Sequence, residues 1–248
     1  MKKTFIIMLC IIMLFATSSV ALANSEAKVS SGDIANFLND TTYIVVVEGN
    51  GNGLDNYLAQ NADAYHAKVD KLAKMTPTEL EKAKIQLVKD TVKLTADNSN
   101  VVFPKAFVNY VKENCPQLLT AVEGKTAVEF NVNAIGPQGE VQKSVTANFW
   151  WGSIPTYSIT FKCEWGWDSN NVILYDAPST TTSTQFQDNG IIQAFGPNQY
   201  DGGKTWKYFR KGQFFYPYTQ PAGTWVNPYA TFYIKANVIG IESQGENY

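Results

Sequence analysis

The sequence predicts an α+β fold in which an N-terminal helical layer packs on a C-terminal antiparallel β-sheet or β-sandwich. Three observations carry that expectation. Apolar residues recur at three- and four-residue steps up to about residue 122, then at two-residue steps beyond Gly124. All six tryptophans lie between Trp150 and Trp225, and the first 149 residues contain none. Clusters of Gly, Pro, Asn and Asp punctuate the second half at the spacing of short strands.

Residues 1–23 read as a secretory signal peptide. Lys2 and Lys3 form the positive start, Phe5 to Phe15 the apolar core, and Ala21-Leu22-Ala23 the small-x-small cleavage site. The expected product begins at Asn24 and is secreted or periplasmic.

Residues 24–122 read as mainly helical. A short helix is expected over 33–40, and the β-branched run Thr42–Val47 reads as a strand. Leu58, Ala62, Tyr65, Val69 and Leu72 predict a helix over 54–75. Thr76, Pro77 and Glu79 form a capping box with proline at the first helical position, opening a helix that runs to Thr95. A third helix starts at Pro104 and stops near Cys115, because Pro116 follows.

Residues 123–248 read as an aromatic-rich antiparallel region. The alternations in Val128–Ala134 and Val141–Phe149, joined by Gly136-Pro137-Gln138-Gly139, predict a hairpin over 126–151. Tyr157, Ile159, Phe161, Cys163 and Trp165 alternate with Ser158, Thr160, Lys162 and Glu164, the clearest strand pattern in the chain. Further strands are expected near 171–175, 184–195, 204–210 and 229–241, with the Ser/Thr tract 179–184 as a loop or exposed strand. No Pro- or Ser-rich spacer marks residue 122, so the two segments are expected to pack as one unit.

Composition excludes several functions. Without Lys2 and Lys3 the chain has 18 basic and 22 acidic residues, and the phosphate backbone of nucleic acid demands a basic surface. Arg210 is the only arginine and His66 the only histidine. One histidine beside no GxSxG, HExxH or SxxK motif argues against nucleophilic or zinc chemistry, and His66 is expected on a solvated helix face. The loop Glu48–Gly53 lacks the third glycine of a dinucleotide loop, and Ala59 stands where a calcium loop needs glutamate; it reads as a permissive turn. Glu129, Glu140, Glu164 and Asp168 could supply a glycosidase's two carboxylates, yet their outward phase matches the wet face of a sheet. The expectation is a non-enzyme with no cofactor and no metal. Cys115 and Cys163 are expected to form a disulfide joining the two segments, worth about 4 kcal/mol in the chain-entropy account.

The aromatic set is the strongest positive signal. If Phe149 and Trp151 face the core, Trp150 faces away from it, because successive strand residues point to opposite faces. Phe214-Phe215-Tyr216-Pro217-Tyr218 repeats the problem. Such rings are either covered by the helices or form a ligand platform of Trp150, Trp206, Tyr216, Tyr218 and Trp225. Asn170, Asn171, Gln185, Asp188, Asn189, Asn198 and Asp201 would hydrogen-bond ligand hydroxyls from nearby loops. The expected function is therefore non-catalytic recognition of an extracellular glycan or another cell-surface ligand. A membrane-active cytolysin, with lipid as partner, is the second expectation, and a structural envelope or surface protein the third. No motif carries a resemblance to a named family.

Overall fold

The computed structural model describes residues 28–49, 66–131, 138–168, 171–176, 179–183, 187–216 and 224–242. Two antiparallel sheets dominate it. In the first, β1 (Thr42–Glu48) lies between the short β2 (Val101–Val102) and β4 (Gln138–Trp151), followed by β5 (Ile154–Asp168). Along the far edge of β5 run β6 (Asn171–Asp176) and β7 (Ser179–Ser183). In the second, β8 (Gln187–Tyr200) pairs with β9 (Thr205–Tyr216). The other edge of β9 holds β10 (Thr224–Val226) and β11 (Tyr229–Lys235); then come β12 (Val238–Glu242) and β3 (Ala127–Asn131). The expected hairpin over 126–151 is not formed: β3 pairs with β12 in the second sheet, whereas β4 pairs with β1 and β5 in the first. Alternation fixes which face a side chain takes but leaves the choice of partner strand open.

The sheets meet through aromatic rings. Tyr157, Ile159, Phe161, Cys163 and Trp165 are all buried, in the phase their alternation predicts. Phe161 stacks on Phe232 of β11 at 4.7 Å, and Tyr157 stacks on Phe214 of β9 at 4.7 Å. Each such pair contributes about 0.5–1.5 kcal/mol beyond its area burial. The Trp165 indole N–H donates to the Ala236 carbonyl across the gap, at 2.6 Å.

Two glycines make room for rings within the sheets. Gly139 faces Trp167 across the β4–β5 ladder, and Gly240 faces Tyr233 across β11–β12. A Cβ on Gly240 would fall 2.3 Å from the Tyr233 ring. The ring thus crosses β12, and its hydroxyl bonds Glu129, which stands opposite Gly240 on β3. Burial, and then that carboxylate, raise the Tyr233 phenol above its ordinary pKa.

Among the described residues, the second sheet is preceded by α1 (Ser31–Thr41), α2 (Pro77–Leu94), α3 (Lys105–Asn114) and α4 (Leu119–Glu123); residues 66–72 are also helical. Ser30 with Asp33, and Thr76 with Glu79, close reciprocal capping boxes. In both boxes the N-cap hydrogen bonds hold the acid's pKa below the carboxylate norm. The helices divide their apolar faces between two clusters. Ile34, Phe37, Leu38 and Leu80 join the sheet interior. Val88, Val92, Phe107 and Val111 instead pack with Tyr43, Phe103 and Trp150 on the outer side of β1 and β4. A polar clamp links three helices: Lys84 pairs with Asp40 at 2.8 Å and lies 4.5 Å from the Tyr110 ring, whose hydroxyl donates to Glu81. Lys125 donates to the carbonyls of Thr95, Ala96 and Asn98, closing the C-terminal end of α2.

The expected disulfide is absent. Cys115 and Cys163 carry separate thiols, both buried. Cys115 lies in the outer cluster beneath α3, whereas Cys163 faces the sheet interior, so the first sheet stands between them. No rotamer change joins sulfurs on opposite sides of a sheet.

Two outcomes follow. Gly240→Val is expected to displace the Tyr233 ring and cost roughly 2 kcal/mol, in the range for overpacked cores; an unchanged urea midpoint would contradict this. A thiol reagent should leave Cys115 and Cys163 unmodified in the native chain and label both in denaturant. Recovery of a Cys115–Cys163 cross-linked peptide by non-reducing mass spectrometry would show the opposite.

Candidate functional site

The structure does not gather the five predicted rings on one face. Trp150 projects outward from the first sheet, opposite to Phe149 and Trp151, and is covered by the helical cluster, where it sits 6.5 Å from Tyr43. Trp206 packs against the sheet interior and donates its indole N–H to Val172 of β6 at 3.1 Å. Trp225 alone of the three tryptophans is exposed, at 45 %. Tyr216 ends β9 opposite Thr224, and Tyr218 lies outside the described residues.

A different constellation surrounds Trp225. Tyr208, Arg210 and Phe214 of β9 are buried, so Phe209, Lys211, Gln213 and Phe215 take the outward phase. The ladders set neighbours beside each. Phe195 and Tyr229 flank Phe209, with ring centroids at 5.8 and 5.3 Å. Gln193 and Tyr229 stand opposite Lys211. Asn189 donates to the Gln213 side-chain oxygen at 2.9 Å, and the Gln213 amide donates to Asn227 at 3.2 Å, so three side-chain amides form one row from β8 across β9 to the link between β10 and β11. Phe215 lies 4.7 Å from Trp225. Phe195 is 36 % exposed. From Phe209 to Phe215 the face extends roughly 20 Å at the usual strand rise. It carries ring planes at both ends and an amide row and an ammonium between them.

Beneath this face lies a residue the sequence did not single out for a role. Arg210 is 6 % exposed. Its Nε donates to the Ser179 hydroxyl of β7 at 2.8 Å, and one terminal nitrogen donates to the carbonyls of Phe195 (3.0 Å) and Phe209 (2.8 Å). The guanidinium therefore fastens the first sheet to β8 and β9 beside the bulge at Phe195–Asn198. Gly196 in that bulge has φ +101°, and a Cβ there would meet the Lys207 carbonyl at 2.4 Å. Pro197, in the same bulge, has no N–H to give to the ladder. Burial pulls the Arg210 pKa below its ordinary value.

Of the four predicted carboxylates, three share one surface and one lies apart. Glu140 is diagonal to both Glu164 and Asp168 on the solvent side of β4–β5, with Asn171 donating to Asp168, while Glu129 sits on the second sheet with Tyr233. His66 opens the described helical stretch 66–72. Glu48 pairs with Lys143, and Gly49 has φ +94°, as a turn requires; residues 50–53 lie outside the described residues. Of the loop residues, Asp188 accepts from Thr181 and the Gly190 N–H, and Asp201 accepts from Thr205. Asn170 and Gln185 lie outside the described residues. No helix among the described residues is long and apolar enough to cross a membrane.

No protein-family model matches the chain, and no curated protein or solved structure is significantly similar to it.

Arg210→Lys keeps the charge but loses the planar fork. It is expected to lower stability by about 2–3 kcal/mol, since hydrogen bonds to a buried charged group are among the stronger ones. Chemical denaturation checks this, and a loss below 0.5 kcal/mol, roughly a surface substitution's effect, would remove Arg210 as a fastening between sheets.

Proposed function

We propose that this chain is an exported, non-catalytic recognition protein that binds carbohydrate, or a similarly hydroxyl-rich cell-surface ligand, across the outward face of β9. The observation that carries the proposal is the order of side chains on that face: Phe195–Phe209–Tyr229, then Lys211, then Asn189–Gln213–Asn227, then Phe215–Trp225.

A sugar ring has an apolar C–H face and a rim of hydroxyls. Aromatic planes take the first, and amides and ammonium groups hydrogen-bond the second. The amides of this row already hold one another through Asn189–Gln213 and Gln213–Asn227 bonds, so their orientation is set before a ligand arrives. An extended sheet face suits several consecutive rings of a chain. Trp150 and Trp206, engaged with the helical cluster and the sheet interior, have no part in this reading. Export rests on the N-terminal segment Met1–Ala23.

The test is a screen of soluble oligosaccharides followed by calorimetry of the best ligand. Trp225→Ala and Gln213→Ala are each expected to weaken binding at least tenfold, about 1.4 kcal/mol. Trp206→Phe should leave affinity within twofold. Absence of saturable saccharide binding, or release of dye from liposomes by the protein, would overturn the proposal in favour of a structural or membrane-active role.

A further inference from the structure

A small pocket adjoins the β9 face. The last β11–β12 pair among the described residues is Thr231–Glu242. Ahead of it in β11 and its approach, Asn227, Pro228 and Tyr229 border the end of α1 and the start of α3 across a pocket of about 60 Å³. That is room for a few waters or one substituent, well below the roughly 300 Å³ at which sites for whole small ligands begin. The pocket lies beside the amide row, because Asn227 belongs to both. Tyr229 likewise borders it and stands 5.3 Å from Phe209 on the face.

The lining sets the chemistry. Phe149 and Tyr157, both 2 % exposed, form an aromatic floor, and Pro104, Ala106 and Pro228 supply aliphatic walls. The Tyr157 hydroxyl already bonds Thr42 and Thr156, so the floor offers ring surface. No charged side chain stands among the described lining residues. An ammonium, carboxylate or sulfate entering the pocket would lose its hydration with no counter-charge to replace it. Two side-chain amides stand at the mouth: Asn39, exposed on the last turn of α1, and the half-buried Asn227. The Asn227 oxygen accepts from Gln213, which leaves its N–H groups to donate. Among the substituents of sugars, an acetamido group combines a methyl for the walls with a neutral N–H and C=O for the two amides.

Building on the carbohydrate reading of the β9 face, we infer that the bound glycan is N-acetylated and that one acetamido group enters this pocket. Its methyl packs against Pro104, Ala106 and Pro228, its carbonyl accepts from Asn227, and its N–H donates to the Asn39 side-chain oxygen. The sugar ring that carries it lies over Tyr229 and Phe209.

Calorimetry of the exported chain with chitotetraose and cellotetraose tests this, since the two share one backbone linkage and differ in carrying acetamido or hydroxyl groups. Chitotetraose is expected to bind about tenfold or more tightly than cellotetraose. Ala106→Leu, which fills the pocket from a half-buried helical position, should abolish that preference and leave cellotetraose affinity unchanged. Asn39→Ala, at an exposed position, should cut the preference roughly threefold. Equal affinity for the two saccharides, or a preference untouched by both substitutions, would overturn the inference while the saccharide-binding face stands. Binding of neither tetrasaccharide would overturn both.

Discussion

The stacking of β5 rings on the second sheet is the contact from which the remaining geometry follows. Phe161 on Phe232 and Tyr157 on Phe214 fix the distance between the sheets and the phase of both facing strands. Once Phe214 points inward, Phe215 points outward, and the same parity carries Gln213, Lys211 and Phe209 to the outer surface. A one-residue slip of β9 would put those residues in the core and send Tyr208, Arg210 and Phe214 into solvent. Interior packing and the candidate binding face are thus two sides of a single register.

The two sheets treat their outer faces differently. The first places Tyr43, Val45 and Trp150 outward, and Val88 and Val92 of α2, Phe107 of α3 and Phe103, just before α3, cover them. The second keeps Trp225 and Phe195 exposed. The helices also do more than cover a face. Ile34, Phe37 and Leu38 of α1 enter the sheet interior, and α2 contributes to both clusters, with Leu80 on one side and Val88 on the other. β1 and β2, which precede residue 122, complete the first sheet beside β4.

Features set by near neighbours in sequence were legible. The Thr76-Pro77-Glu79 start, the stop before Pro116 and the inward row of β5 each depend on residues within a few positions, and each is found where expected. Pairing was not legible: β3 and β4 have hairpin chemistry between them yet join different sheets. Cys115 and Cys163 carry no sign in the sequence of lying on opposite sides of β5 and β4. Arg210 looked isolated because its partners, Ser179 and the Phe195 carbonyl, become neighbours only through the β7–β8–β9 arrangement. The outward row of β9 did leave a signal. Tyr208-Phe209 and Phe214-Phe215 are adjacent rings that a single strand must split between its faces. The predicted platform of Trp150, Trp206, Tyr216, Tyr218 and Trp225 contains no phenylalanine, whereas the outward row carries Phe209 and Phe215.

The two margins where the sheets approach are closed by unlike chemistry. On one, Arg210, Trp206 and Thr181 reach across between β6–β7 and β8–β9, with the guanidinium buried. On the other, the Phe103 N–H meets the Lys125 carbonyl, and the Lys125 ammonium holds carbonyls near the surface. Salt and water reach the second margin and are excluded from the guanidinium at the first. The two margins therefore meet solvent differently: charge screening reaches the exposed lysine contacts, while the guanidinium stays shielded as long as the two sheets remain packed. The β9 face is joined to the arginine margin, so its rings share the support of that buried guanidinium.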